Sequence, residues 1–201
     1  ILTMMIEKGM SFDEALKIAQ EKGYAEKDPT ADVEGHDACR KVCILASLAF
    51  GKHVYPNQVE TEGITNITLE DVSYIENAGG VIKLLGQIKY INDNEIAAFV
   101  SPAVVYNGSQ LASVKDVFNA ILVRGDAVGD VCFYGPGAGK LPTASAVVAD
   151  IIDCAKHSER KKIFGWGAGN EDYVVDYKER IEMPFYVRAK ATPAEINAKF
   201  S

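Results

Sequence analysis

The sequence predicts an α+β fold, a mostly antiparallel sheet flanked by helices, on three observations. In the first half, apolar residues recur at helical spacing between capping residues and glycines. From residue 81 the period changes. Runs rich in Val, Ile and Ala at 81–91 and 95–106, then 118–124 and 127–134, are divided by Asn-Asp-Asn and Gly-Asp turns, the mark of two antiparallel hairpins. Finally, an apolar stretch at 142–154 follows a glycine-rich turn and contains no further breaker, which predicts a closing helix. Helices gathered first and strands second belong to the α+β class.

Taken in order, residues 1–9 read as the end of a helix closed by Gly9. Ser11, with Glu14 three residues on, forms a capping box for a helix over 12–22, which places Phe12, Ala15, Leu16 and Ala19 on one face before Gly23 stops it. Gly35 breaks the chain, and 37–50 then runs without Pro or Gly to Gly51, predicting a buried helix entered by a charged loop. Residues 54–63 read as irregular, and Thr68 opens a short helix that ends by Gly79-Gly80. Pro102 suggests a bulge or an edge in the second strand of the first hairpin.

Composition bounds the functions. The chain has 201 residues, 48% of them apolar and 24% charged, enough for one good core or two small ones. Its net charge is −7, and no block of Lys or Arg marks a nucleic-acid face. The longest nearly uncharged run, 42–51, is far below the roughly 20 residues needed to cross a bilayer. Cys39, Cys43, Cys132 and Cys154 stand at spacings unlike a disulfide framework, which suits a reducing cytoplasm. With neither a Met start nor a signal segment, the chain reads as part of a longer protein.

The stretch 23–51 concentrates the chemistry. Asp37 and Lys41 are four apart and share one helix face; by themselves such residues make an exposed ion pair contributing roughly 0.2–0.5 kcal/mol. The same loop brings Glu26, Asp28, Asp32 and Glu34, more negative charge than one lysine neutralises, so the cluster attracts a cationic group such as an amine. His36, Cys39 and Cys43 lie close in sequence and raise the alternative of a metal module, although cysteines in apolar segments are more often small buried hydrophobes. In Gly135-Pro136-Gly137-Ala138-Gly139-Lys140 the glycines admit a close ligand, and the following helix start, with Pro142 in its first turn, offers free N–H groups. The turn lacks both phosphate-loop spacing and the Gly-x-Gly-x-x-Gly order, so the pattern alone reads as a tight strand-to-helix turn.

Gly23-Tyr24-Ala25-Glu26-x-Asp28-Pro29-x-x-Asp32-x-x-Gly35-x-Asp37-Ala38-x-Arg40-Lys41 resembles the signature of homoserine dehydrogenases, and Gly-Pro-Gly-Ala-Gly-x-Leu-Pro-Thr-Ala-Ser-Ala-Val at 135–147 is similar to that family's second signature. The resemblance runs from Ile1 to about Ala155 and fades beyond Gly165. It implies interconversion of aspartate 4-semialdehyde and homoserine with NADP or NAD, in threonine, methionine and isoleucine biosynthesis. It implies catalytic roles for Lys41, the proton donor, and Asp37, which orients it. Glu26 would hold the substrate ammonium, and Asp32 would stand near the reacting end. Tyr24 and Asp28 are expected to be structural. Gly135, Gly137, Ala138 and Gly139 would lie beside the nicotinamide end of the cofactor.

The resemblance also divides the chain. Residues 1–134 would be a catalytic and dimerisation domain whose sheet pairs two subunits. Residues 135–157 would return to a nucleotide-binding domain, to which the closing helix belongs and which lies mostly before Ile1; that domain would hold most of the cofactor, so the isolated chain is expected to be inactive. Residues 158–201 would be a linker and the start of a truncated or degenerate regulatory region, with 182–189 similar to its opening strand. The expected partners are a small amino-acid substrate and a second copy of the chain, with neither nucleic acid nor membrane. The readings set against this one are a non-catalytic oligomerisation scaffold and the metal module.

Overall fold

A computed structural model describes residues 1–137, 139–160, 163 and 165–200; Ala138, named above, lies outside the described residues. Helix α1 (Leu2–Lys8) ends at Gly9, and α2 (Phe12–Glu21) starts on the expected reciprocal capping box of Ser11 and Glu14. A short helix that the sequence did not announce, α3 (Thr30–Val33), sits inside the acidic loop. Gly35, at a φ of 79°, then turns the chain into α4 (His36–Phe50), which stops at Gly51, also in the left-handed region.

After α4 the stretch expected to be irregular holds a 3-10 turn at Pro56–Gln58 and a short strand, β1 (Glu60–Thr61). Helix α5 (Leu69–Asn77) opens on a Thr68–Asp71 capping box. Strands β2 (Gly80–Asn92) and β3 (Glu95–Tyr106) form the long hairpin, with β1 added parallel to β3. The second hairpin, β4 (Phe118–Gly125) and β5 (Gly129–Pro136), is a separate two-stranded sheet. The expected single sheet is therefore two, and the larger one is mixed. Helix α6 (Lys140–Lys156) follows, then α7 (Tyr177–Arg180) and α8 (Pro193–Phe200).

The core is seated between α4 and the β2–β3 hairpin, where Val42, Cys43 and Ala46 meet Ile96, Ala98 and Val100. A second cluster joins Met5 and Ala15 to Val72, Ile75 and Ile82. Only one side of α4 is buried, which corrects the expectation of a buried helix: Ile44 and Leu48 are more than half exposed.

Other details also depart from expectation. Pro102 pairs with Leu84 in unbroken register, and the irregularity falls instead between Tyr90 and Asn92, beside the turn. Pro102 does lie on an edge, because β1 reaches only Phe99 and Val100 and leaves β3 without a strand on that side at Pro102. The second turn is displaced from Gly125-Asp126 to 126–128, because the left-handed position falls on Gly129, which closes the register opposite Gly125. No strand is assigned over 182–189; its polar tips bind α5 instead. The glycine-rich stretch read as a linker is docked from Gly165 onward, and Tyr173 is 2% exposed within the α4 core.

Candidate active site

Local backbone geometry fixes the acidic loop. After Gly23 the chain folds back on α2, with the N–H groups of Tyr24 and Ala25 both donating to the Ala19 carbonyl, and Gln20 Nε2 donates to the Glu26 carbonyl at 3.0 Å. Asp28 accepts from the Thr30 N–H and hydroxyl, which hold its carboxyl below the usual range and mark it as a turn-forming residue. Beneath the loop, the Ile64 N–H donates to the Val33 carbonyl at 2.7 Å. A Cβ at Gly63 would stand 2.2 Å from that same oxygen, and one at Gly35 would stand 3.1 Å from the Thr61 side chain. Residues 61–64 thus form the floor on which 33–35 rest.

On this support the structure brings the charged residues within electrostatic reach of one another. Lys41 Nζ lies 2.8 Å from Asp37 Oδ2 across one helical turn, with both side chains about half exposed. Asp32 has its carboxyl pushed up, first by desolvation and then by Asp37 and Glu26, while Lys41 pulls it the other way. All four predicted residues therefore contribute to one local field. Glu26, Asp32 and Lys41 are exposed, so the group forms an open face.

A cleft of about 330 Å³ begins beside this face. Tyr24, Ala25, Asp32 and Val33 line one side, and Asp116 and Val117, from the approach to β4, with Asn119 of β4 line another. Asp32 is the one predicted site residue on its wall; Glu26, Asp37 and Lys41 stand outside. The second motif meets the same cleft through Asn119: Gly135 pairs with Asn119 in the β4–β5 register, the Gly137 N–H donates to the Val117 carbonyl at 2.9 Å, and a Cβ at Gly137 would collide with the Asn119 side chain. Asp116 and Asn119 were not foreseen. Asp116 has a φ of 53°, which Asp tolerates better than most side chains, but nothing in its neighbours' spacing marks it.

The predicted cofactor glycines differ in kind. Gly137 is filled by Asn119, whereas a Cβ at Gly135 would meet nothing within 4 Å and one at Gly139 nothing nearer than 3.5 Å, so the backbone at these two positions is open to a ligand edge. Ala138 lies outside the described residues. Among the described residues no three His, Cys, Asp or Glu side chains are grouped to hold a metal ion. His36 is exposed, while Cys39 and Cys43 turn into the core, where burial and then the neighbouring Cys39 push the Cys43 thiol up to about 12. A thiol held protonated at neutral pH is a poor ligand.

Residues 1–152 match the family model described as homoserine dehydrogenase. The homoserine dehydrogenase of Bacillus subtilis is 45% identical over 157 residues, covering 78% of this chain and 36% of its own length. A crystal structure of Staphylococcus aureus homoserine dehydrogenase at pH 7.0 superposes with a TM-score of 0.76 at 38% identity, covering 99% of this chain and 49% of that one. A hyperthermophilic archaeal homoserine dehydrogenase mutant in complex with NADPH is 30% identical, with a TM-score of 0.59 over 77% of this chain and 43% of that one. The chain thus spans little more than a third of the curated relative's length, and through the match over residues 1–152 it belongs to the homoserine dehydrogenase family.

Proposed function

We propose that this chain supplies the substrate-binding and proton-handling residues of an enzyme that interconverts aspartate 4-semialdehyde and homoserine. The observation that carries the reading is the Asp37–Lys41 pair, coupled to Asp32 and Glu26, within a chain of this family. A nicotinamide cofactor would supply the hydride from its reduced form, NADPH or NADH, and would accept it as NADP or NAD in reverse. Gly135 and Gly139 would border its nicotinamide end. In the reducing direction, the Lys41 ammonium donates a proton to the alkoxide oxygen as the aldehyde is reduced, and takes it back in reverse. Asp37, 2.8 Å away, keeps that amine aimed. Glu26 makes a charge-assisted contact with the substrate ammonium, selecting an amino acid over a simple aldehyde. Asp32 faces the reacting end from the cleft wall.

The proposed partners are the amino-acid substrate and a second copy of the chain. Residues 1–134 would form the catalytic and dimerisation domain, 135–157 the return to a nucleotide-binding domain, and 158–201 the start of a regulatory region. Among the described residues no helix is long and apolar enough to cross a membrane. The free cysteines suit a reducing cytoplasm.

The test is homoserine oxidation by the protein carrying this chain. Lys41→Ala should lower kcat by about two to four orders of magnitude. A loss in kcat/KM under about fivefold would remove Lys41 from proton transfer. Glu26→Gln should raise KM for homoserine and leave kcat nearly unchanged; an unaltered KM places the ammonium elsewhere.

A further inference from the structure

Residues 165–180 lie beyond the stretch that the family model matches, yet they are woven into the body of the protein. The segment first pairs with the chain leaving α4. The Gly167 N–H donates to the Gly51 carbonyl at 2.9 Å and the His53 N–H returns a bond to the Gly167 carbonyl at 3.0 Å. It then adds to the edge of β3: the Ile96 N–H donates to the Tyr173 carbonyl and the Val175 N–H to the Ile96 carbonyl, both at 2.9 Å. This is the same strand that β1 pairs with a few residues on, at Phe99 and Val100. Tyr173 closes the core on which the inner face of α4 rests, and Tyr177 stacks on the buried Phe99 ring with centroids 3.9 Å apart.

Two side-chain contacts tie this segment to the floor of the acidic loop. Gln58 Nε2 donates to the Asn170 carbonyl at 2.8 Å, and Lys178 pairs with Glu60. Glu60 begins the run whose next members, Thr61 to Ile64, carry Val33 to Gly35. Asp32 and Asp37 flank that supported stretch on either side. A continuous path of contacts therefore leads from the segment, through β1, to the proposed site.

We propose that residues 165–180 act as a strap that holds β1 under the acidic loop and so positions Asp32, Asp37 and Lys41, with Gln58 and Lys178 as positioning residues that never touch substrate. The catalytic consequence rests on the function proposed above; the mechanical one does not. Freed at Glu60 and Gln58, β1 would move relative to Val33–Gly35, and the carboxylates on either side would lose their common geometry. Misplacement of this kind costs turnover more than global stability.

The experiment is Gln58→Ala combined with Lys178→Ala in the protein carrying this chain, read by amide hydrogen exchange and by homoserine kinetics. Exchange at 33–37 and 61–64 should rise about fivefold or more while α2 and α5 amides keep their wild-type rates. The parameter kcat should fall about tenfold, with KM changed less and the midpoint of thermal unfolding shifted by no more than about 2 °C. Lys178→Arg by itself, which keeps the pair with Glu60, should leave both readouts at their wild-type values. Faster exchange at 173–178 with unchanged exchange at 33–37 would overturn the proposal. So would an equal loss of protection across α2 and α5, which would make the strap a general stabiliser. Should the double variant fail to fold, Lys178→Ala alone removes the exposed pair with Glu60 and the ammonium over the Tyr177 ring, and is read in the same way. If the wild-type protein oxidises no homoserine, the functional reading fails and the exchange data still decide the strap.

Discussion

Asp32 is the residue that joins the acidic group to the cleft. It lies on the cleft wall, across from Asn119, while sensing Asp37, Glu26 and Lys41 on the open face. Its raised carboxyl has signed, separable causes, so its titration reports whether the group acts as a unit. Carboxyl NMR should find the Asp32 pKa lower in Asp37→Asn than in wild type, because a repelling charge is gone, and higher in Lys41→Met, because an attracting one is gone. If neither substitution moves it, the residues do not share a field and the proposed constellation falls. The sequence made all four residues visible, because charged groups at fixed offsets around a helix start are a local feature. It could not show that one of them belongs to a cleft and three to its rim, since the opposite wall comes from residues more than eighty positions away.

At the scale of elements, helix starts were the most legible feature, and α5 shows what tertiary structure adds to one. Thr68 and Asp71 form the capping box read from sequence, but the Asp71 side chain is buried and also receives the Tyr186 hydroxyl and the Arg188 guanidinium. Burial pushes its carboxyl up; the Thr68 bonds, the Tyr186 hydroxyl and Arg188 outweigh that and leave it below its ordinary value of 3.8. A folded-state pKa below the unfolded one gives stability that is complete above the ordinary value and is lost as pH falls through the folded value. Asp71→Asn should therefore destabilise the protein by about 1–2 kcal/mol near pH 7 in denaturant titrations. The gap from wild type should hold steady down to about pH 5 and close below about pH 4. A gap independent of pH would mean that the carboxylate charge contributes nothing. The expected strand at 182–189 does not form, and its Tyr186 and Arg188 side chains bind Asp71 of α5 instead.

At the scale of the whole molecule, the uncovered apolar surface is informative. The β4–β5 hairpin is a two-stranded sheet exposing Ile121, Val123, Phe133 and Tyr134, and α6 exposes Leu141, Val147, Val148, Ile151 and Ile152. A lone hairpin is marginal in water, and the proposed self-association would cover this one. Ile121 and Phe133 sit opposite each other in register, and replacing both with Glu should weaken the proposed self-association about 100-fold or more in sedimentation equilibrium, with the α4 core unaffected. A dimer of unchanged strength would locate the interface elsewhere.

By itself the sequence determined what is local: helix caps at Ser11 and Thr68, the two hairpins, the break at Gly35, and a charged motif specific enough to name a family. Each follows from backbone preferences and side-chain spacings that act over a few residues. Only the tertiary structure decided that the strands form two sheets, that a glycine-rich run buries Tyr173 in the core, and that residues 61–64 carry the acidic loop. Those outcomes depend on contacts between segments far apart in the chain, where the free energy comes from surfaces that no short window of sequence contains.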